Sequence, residues 1–207
     1  MKGYYFITDA ELSRAGTVND VQQAVAAGVE VIQYRCKDGS SAEFYAEALA
    51  LKKICRGALF IVNDRVDIAL AVEADGVHLG QDDLPLPVAR KLLGPGKTIG
   101  LSVHSAAGAI QAEALGADYL GVGPIFSTQT KLDAGPPVGI ELIRQIKSVV
   151  KLPIVAIGGI TLANAAEARC AGADCVCAIS AVVGSENVTA EIEKFQGVFG
   201  LGGRYSR

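Results

Sequence analysis

The chain predicts an α/β fold, a single-domain (β/α)8 TIM barrel, and three observations carry that expectation. Strand and helix signals alternate along the whole length, eight of each. The strands are short continuous apolar runs, as in parallel sheets covered on both faces. Finally, Ala27-Gly-Val, Ala74-Asp-Gly-Val, Gly116-Ala-Asp-Tyr and Gly172-Ala-Asp-Cys form a weak echo before every even-numbered strand, which suits a barrel whose layers are filled from alternate strands. The runner-up is a doubly wound open sheet. Its dinucleotide-binding version needs a GxGxxG after an early strand, and none is present.

Tyr4–Ile7 is a short apolar strand, followed by a helix over Val18–Ala27 that stops at Gly28. Val29–Arg35 is the second strand. Ser40 and Glu43 form a capping box for a helix with Phe44, Ala48, Leu51 and Ile54 on one face. Ala58–Val62 is the third strand, Val66–Val72 a short helix and Gly76–Leu79 the fourth strand. The helix Leu86–Leu93 ends at Gly94-Pro95. Thr98–Leu101 is strand five, and Ser105 caps a helix through Ala114. Asp118–Val122 is strand six. A long irregular loop follows, in which Gly123, Pro124, Gly135, Pro136 and Pro137 exclude a helix. Ile140–Val149 is a helix, Pro153–Ile157 strand seven, and Thr161 caps a helix to Cys170. Cys175–Ile179 is strand eight and Val188–Phe195 the last helix. The barrel thus spans residues 1–199, and the turn-rich residues 200–207 read as a disordered tail.

Composition narrows the function classes. The 207 residues carry a net charge of −3 with both signs mixed and no Trp, so no basic surface for nucleic acid is indicated. No stretch approaches the ~18 consecutive apolar residues of a membrane span, and the N-terminus lacks a signal-peptide pattern; a cytoplasmic protein is expected. The five Cys show no CxxC pair, and Cys175 and Cys177 alternate within an apolar run as small core residues.

In a barrel the site lies at the C-terminal strand ends and the loops that follow. Strand two ends Gln33-Tyr-Arg-Cys-Lys37. Strand side chains alternate, so Gln33, Arg35 and Lys37 share one side. Two cations at a barrel mouth suit an anionic ligand; otherwise they are solvated beyond the strand end. Asn63 and Asp64 end strand three, and Gln81, Asp82 and Asp83 follow strand four. Carboxylates beside a cationic cluster suit Mg²⁺, which binds through one or two carboxylates plus phosphate oxygens. The alternative for Asp64 and Asp83 is helix N-capping. Ser102 and His104 end strand five; a single His, here or at His78, is more often structural. The long loop carries Ser127, Thr128, Thr130 and Lys131, donors suited to phosphate. Gly158-Gly159 after strand seven and Ser180 after strand eight suit a second phosphate on loop backbone, although a double Gly also makes a tight turn.

Together these residues resemble the thiamin phosphate synthase family. The matching pieces are Tyr5-Phe-Ile-Thr-Asp9, Gln33-x-Arg35-x-Lys37, Asn63 through Leu70, Asp75 through Asp83, Gly100-x-Ser102-x-His104, Gly121 through Lys131, Ala156-Ile-Gly-Gly-Ile160 and Ala178-Ile-Ser180. They run in the family's order over nearly the whole chain. The sequence departs at Ser127, where many relatives have Pro.

The resemblance implies an enzyme that joins 4-amino-2-methyl-5-hydroxymethylpyrimidine diphosphate to 4-methyl-5-(2-hydroxyethyl)thiazole phosphate, releasing pyrophosphate. Carried over by position, Gln33, Arg35, Lys37, Asn63 and Lys131 hold the pyrimidine diphosphate. Asp64 and Asp83 hold Mg²⁺, and Ser102 contacts the pyrimidine or the leaving pyrophosphate. Thr128, Thr130, Gly159, Ile179 and Ser180 bind the thiazole phosphate, and Arg35, Lys37 and Lys131 serve catalysis. The partners implied are two phosphorylated small molecules, with neither nucleic acid nor membrane. Two other readings remain: a thiazole tautomerase of the same fold, whose essential His near the start of the long loop is here Gly123-Pro124, and a non-catalytic binder of thiazole or thiamin phosphate.

Overall fold

A computed structural model of the chain describes residues 1–128, 130 and 135–201. Eight parallel strands close into a barrel in the order β1 to β8. They are β1 Gly3–Ile7, β2 Val31–Tyr34, β3 Leu59–Asn63, β4 Gly76–Leu79, β5 Thr98–Val103, β6 Tyr119–Val122, β7 Ile154–Ile157 and β8 Cys175–Cys177. Among the described residues the helices are α1 Thr17–Ala26, α2 Ser41–Ile54, α3 Val66–Ala71, α4 Leu86–Leu93, α5 Ala106–Ala114, α6 Ile140–Val149, α7 Ala165–Cys170, α8 Ile179–Val183 and α9 Val188–Val198. The Ser40–Glu43 capping box forms at α2, and Ser105 caps α5 through the amide of Gly108.

Strand alternation divides the core in two. Tyr5, Ile7, Val31, Ile61, Tyr119, Val155, Cys175 and Cys177 fill the barrel interior. The opposite parity, including Tyr4, Phe6, Ile32, Phe60, Val77 and Leu120, packs under the helices. Large rings inside are matched by missing side chains. A Cβ on Gly100 would lie 2.1 Å from the Tyr119 ring, and one on Gly121 would lie 2.9 Å from His78. At this packing density such overlaps are not absorbed.

The echo before the even strands has a physical basis at the N-terminal end of the barrel. Asp75 donates its backbone N–H to the Phe60 carbonyl, and its Oδ2 accepts the Phe60 N–H at 2.8 Å. Asp118 clasps Ile99 the same way, at 2.7 Å, and Asp174 clasps Ile154, at 2.9 Å. Each carboxylate also receives a cation from the surrounding helices: Lys52, Arg90 and Lys147 respectively. Before β2 the place is taken by Glu30, which accepts the Lys2 N–H. An acidic residue just before each even strand thus accepts a backbone amide at the N-terminal end of the preceding strand, a donor that would otherwise be left over.

Some local expectations are corrected. Thr161 does not cap a helix: α7 begins at Ala165, and the Asn164 side chain folds back to accept the Thr161 N–H. Strand eight ends at Cys177, and Ile179 opens a short additional helix. Gly200 and Leu201 donate their backbone N–H groups to the carbonyls of Gly197 and Gln196 at the end of α9; residues 202–207 of the expected tail lie outside the described residues.

Candidate active site

The C-terminal face of the barrel opens into a cavity of about 210 Å³. Of the residues expected at a site, Gln33, Arg35, Asn63, Ser102, Thr128, Thr130, Gly159, Ile179 and Ser180 all line it. The parity argument holds within β2. Gln33 points inward and is 2 % exposed, whereas Tyr34 points outward and donates to Glu47 of α2 at 2.7 Å.

Arg35 is held from the end of β1. Its Nη1 donates to Asp9 Oδ2 at 3.3 Å, and the Thr8 hydroxyl both accepts the Arg35 N–H and donates to the Arg35 carbonyl. The charged arm is therefore fixed at both its backbone and its tip. Deeper in the same two strands Gln33 Nε2 donates to the Tyr5 hydroxyl at 2.9 Å, and the Tyr5 and Tyr119 hydroxyls lie 2.7 Å apart. Tyr119 then meets His78 Nδ1 at 3.0 Å, and His78 Nε2 meets Ser102 Oγ at 3.0 Å. Burial pushes the acidities of both tyrosines far down, so both stay neutral phenols.

Not every expected residue joins the cavity. Lys37 is exposed and off the lining, because β2 ends at Tyr34 and alternation no longer aims side chains beyond it. Asp64 is exposed, with a positive φ of 60°, and follows Asn63 at the rim. Asp83 Oδ2 accepts the Gly80 N–H at 2.6 Å, closing the turn after β4. The N-cap positions of α3 and α4 are taken by Arg65 and Pro85. Among the described residues no group of three or more His, Cys, Asp or Glu is arranged to hold a metal. Lys131 lies outside the described residues.

The loop after β6 has a closed neck. Val138 and Gly139 donate to the carbonyls of Pro124 and Ile125, while Ile125 and Phe126 donate to those of Ile157 and Gly158. Gly159 permits this approach: a Cβ there would lie 2.4 Å from the Ser127 carbonyl oxygen. The double Gly is thus required first by protein backbone. Thr128 Oγ1 accepts the Thr130 N–H at 3.3 Å, and Ile179 and Ser180 form the first turn of α8, the place where barrels often add a short phosphate-facing helix.

A family model described as thiamine monophosphate synthase matches residues 4–182. The chain belongs to that family. A thiamine-phosphate synthase from Methanosarcina barkeri is 54% identical over 193 residues, covering 93% of this chain and 88% of that one. One from Chloroflexus aurantiacus is 52% identical, covering 90% and 87%. The solved thiamine phosphate pyrophosphorylase of Pyrococcus furiosus superposes with a TM-score of 0.88 at 42% identity, covering 96% and 95%.

Sequence reasoning read His78 as structural and gave Tyr5 and Tyr119 no site role, yet all three line the same cavity. The parity signal was available: Tyr5 and Gln33 stand two residues from the inward positions Ile7 and Val31, and His78 pairs in register with Gly100. His104 also lines the cavity, and its Nδ1 donates to the Gly123 carbonyl, tying β5 to the start of the long loop.

Proposed function

We propose that the chain is a thiamin phosphate synthase, joining the pyrimidine diphosphate to the thiazole phosphate with release of pyrophosphate. The observation that carries this is one cavity that receives Arg35, braced by Asp9, together with the hydroxyl-bearing neck of the β6 loop and the first turn of α8. Such a mouth suits two phosphorylated ligands held side by side. In this reading Gln33, Arg35 and Asn63 hold the pyrimidine diphosphate, and Lys37, at the rim, and Lys131 serve the same ligand. Thr128, Thr130, Gly159, Ile179 and Ser180 hold the thiazole phosphate. Ser102 faces the pyrimidine or the departing pyrophosphate.

The chemistry needs no general base. The C–O bond of the pyrimidine methylene breaks and its electron pair leaves with pyrophosphate. The ring-stabilised cation is then attacked by the thiazole nitrogen, which carries no proton to lose. Arg35 and Lys131 stabilise charge that grows only as the bond breaks, which is where preorganised cations lower a barrier. The cavity orients the two partners and limits the water that would trap the cation.

Mg²⁺ belongs to this reading. β3 and β4 are paired, so Asp64 and Asp83 follow neighbouring strand ends. The Gly80 amide engages Oδ2 of Asp83, and the carboxylate has a second oxygen to offer. Two hard oxygen donors fit a cation that completes its shell with phosphate oxygens and water. When bound, the ion supplies charge neutralisation on the leaving group. Small charged substrates accord with a cytoplasmic setting. The test is to mix the protein with both substrates and Mg²⁺ and assay thiamin phosphate and pyrophosphate; absence of both sinks the reading. The tautomerase reading is the less favoured, because Gly123-Pro124 stands where its histidine is needed.

A further inference from the structure

We infer that Gln33, Tyr5, Tyr119 and His78 form a one-way hydrogen-bond relay that fixes the Ser102 hydroxyl as a donor into the cavity, making Tyr5 and Tyr119 positioning residues. This rests on the proposed function only for what Ser102 meets. The relay itself is geometry: four contacts of 2.9, 2.7, 3.0 and 3.0 Å link strands β2, β1, β6, β4 and β5 across the barrel.

Its direction follows from counting hydrogens. The Gln33 amide nitrogen only donates, so the Tyr5 oxygen accepts. The Tyr5 hydrogen then has Tyr119 within reach, and the Tyr119 hydrogen has His78 Nδ1. A His78 that accepts at Nδ1 carries its proton on Nε2 and donates it to Ser102 Oγ. The Ser102 hydrogen is then turned toward the cavity that Ser102 lines. In the reverse order Tyr5 accepts from both Gln33 and Tyr119. Its own hydrogen then meets no acceptor among the described residues, although Tyr5 is 1 % exposed. A buried unmet donor is the costlier arrangement. The phenols hold their hydrogens firmly, since burial raises the pKa of each.

A hydroxyl fixed as donor matches an acceptor without a proton, such as a ring nitrogen of an aminopyrimidine or an oxygen of its diphosphate. A hydroxyl fixed as acceptor would instead match an amino group. The relay therefore selects which edge of the pyrimidine Ser102 can meet.

Imidazole ¹⁵N–¹H correlation spectra of the labelled protein test this directly. There are two histidines, and His104→Gln assigns them. His104, whose Nδ1 faces a carbonyl, should be the Nδ1–H tautomer and His78 the Nε2–H tautomer. Finding the His78 proton on Nδ1 overturns the relay. In Tyr119→Phe the His78 tautomers should become mixed, and KM for the pyrimidine diphosphate should rise about tenfold, the worth of one neutral hydrogen bond, with KM for the thiazole phosphate unchanged. A folded Tyr119→Phe protein with the wild-type tautomer overturns the positioning role. If that variant does not fold, the wild-type spectrum still decides the direction. A correct tautomer in a protein that makes no thiamin phosphate would refute the proposed function and leave the relay standing.

Discussion

The Arg35 guanidinium sits 3.3 Å from the Asp9 carboxylate, with the two side chains only 13 % and 10 % exposed. An arginine at the mouth of a barrel is thereby held ready at low cost, since its charge is already paired before any phosphate arrives.

Asp9→Asn keeps the shape and removes the charge. A buried cation left without its partner typically costs 3–5 kcal/mol; with cavity water nearby, a loss of about 2 kcal/mol is expected in urea unfolding. Arg35→Lys should leave stability closer to wild type but slow pyrophosphate release about a hundredfold, ~3 kcal/mol, because an ammonium does not reproduce the planar fork. An Asp9→Asn midpoint equal to wild type would show that the pair contributes nothing.

Asp83→Asn separates turn from metal. The asparagine oxygen can still accept the Gly80 N–H, so stability should stay within about 0.5 kcal/mol. A neutral oxygen is a poor Mg²⁺ ligand, so the Mg²⁺ needed for half-maximal rate should rise at least about tenfold, and excess chelator should abolish turnover in wild type. Full activity in chelator contradicts the metal assignment.

These residues also show what was legible in the sequence. The barrel was, because its signals are local: apolar runs, Gly stops, the Ser40 capping box. Gln33 and Arg35 were, because Gln33 lies inside an extended strand and Arg35 directly follows it. The direction of the Lys37 side chain was not, because alternation carries no information past Tyr34. Asp83 looks like a helix cap by composition but closes a turn three residues back onto Gly80. The Tyr5–Tyr119–His78 contacts join residues as far as 114 positions apart; sequence parity says they point inward, and only the strand register says that they meet.

The acidic clasps below the barrel predict stability, not activity. Asp118→Ala strips the Ile99 amide and Arg90 of one shared acceptor. A loss of about 1–2 kcal/mol in thermal or urea unfolding is expected, below the maximum for charged hydrogen bonds because the carboxylate is half exposed. Both substrates' KM values should be unchanged. A variant that is as stable as wild type would make the echo before the even strands an accident.

Burial pushes the Cys175 thiol up to about 12, whereas Cys170 is exposed. Only the thiolate reacts, and below that pKa Cys175 remains protonated. At pH 8 iodoacetamide should modify Cys170 and leave Cys175 untouched until the protein is unfolded; peptide mass spectrometry reads both. Labelling of folded Cys175 at the rate of Cys170 would contradict the packed interior.

The most direct measurement is a single turnover with protein in excess over the pyrimidine diphosphate, thiazole phosphate saturating and Mg²⁺ present, quenched over time with both products counted. Pyrophosphate and thiamin phosphate should appear in equal amounts, because one cavity holds both partners through bond breaking and bond making. Pyrophosphate without thiamin phosphate, or neither product, would contradict the account.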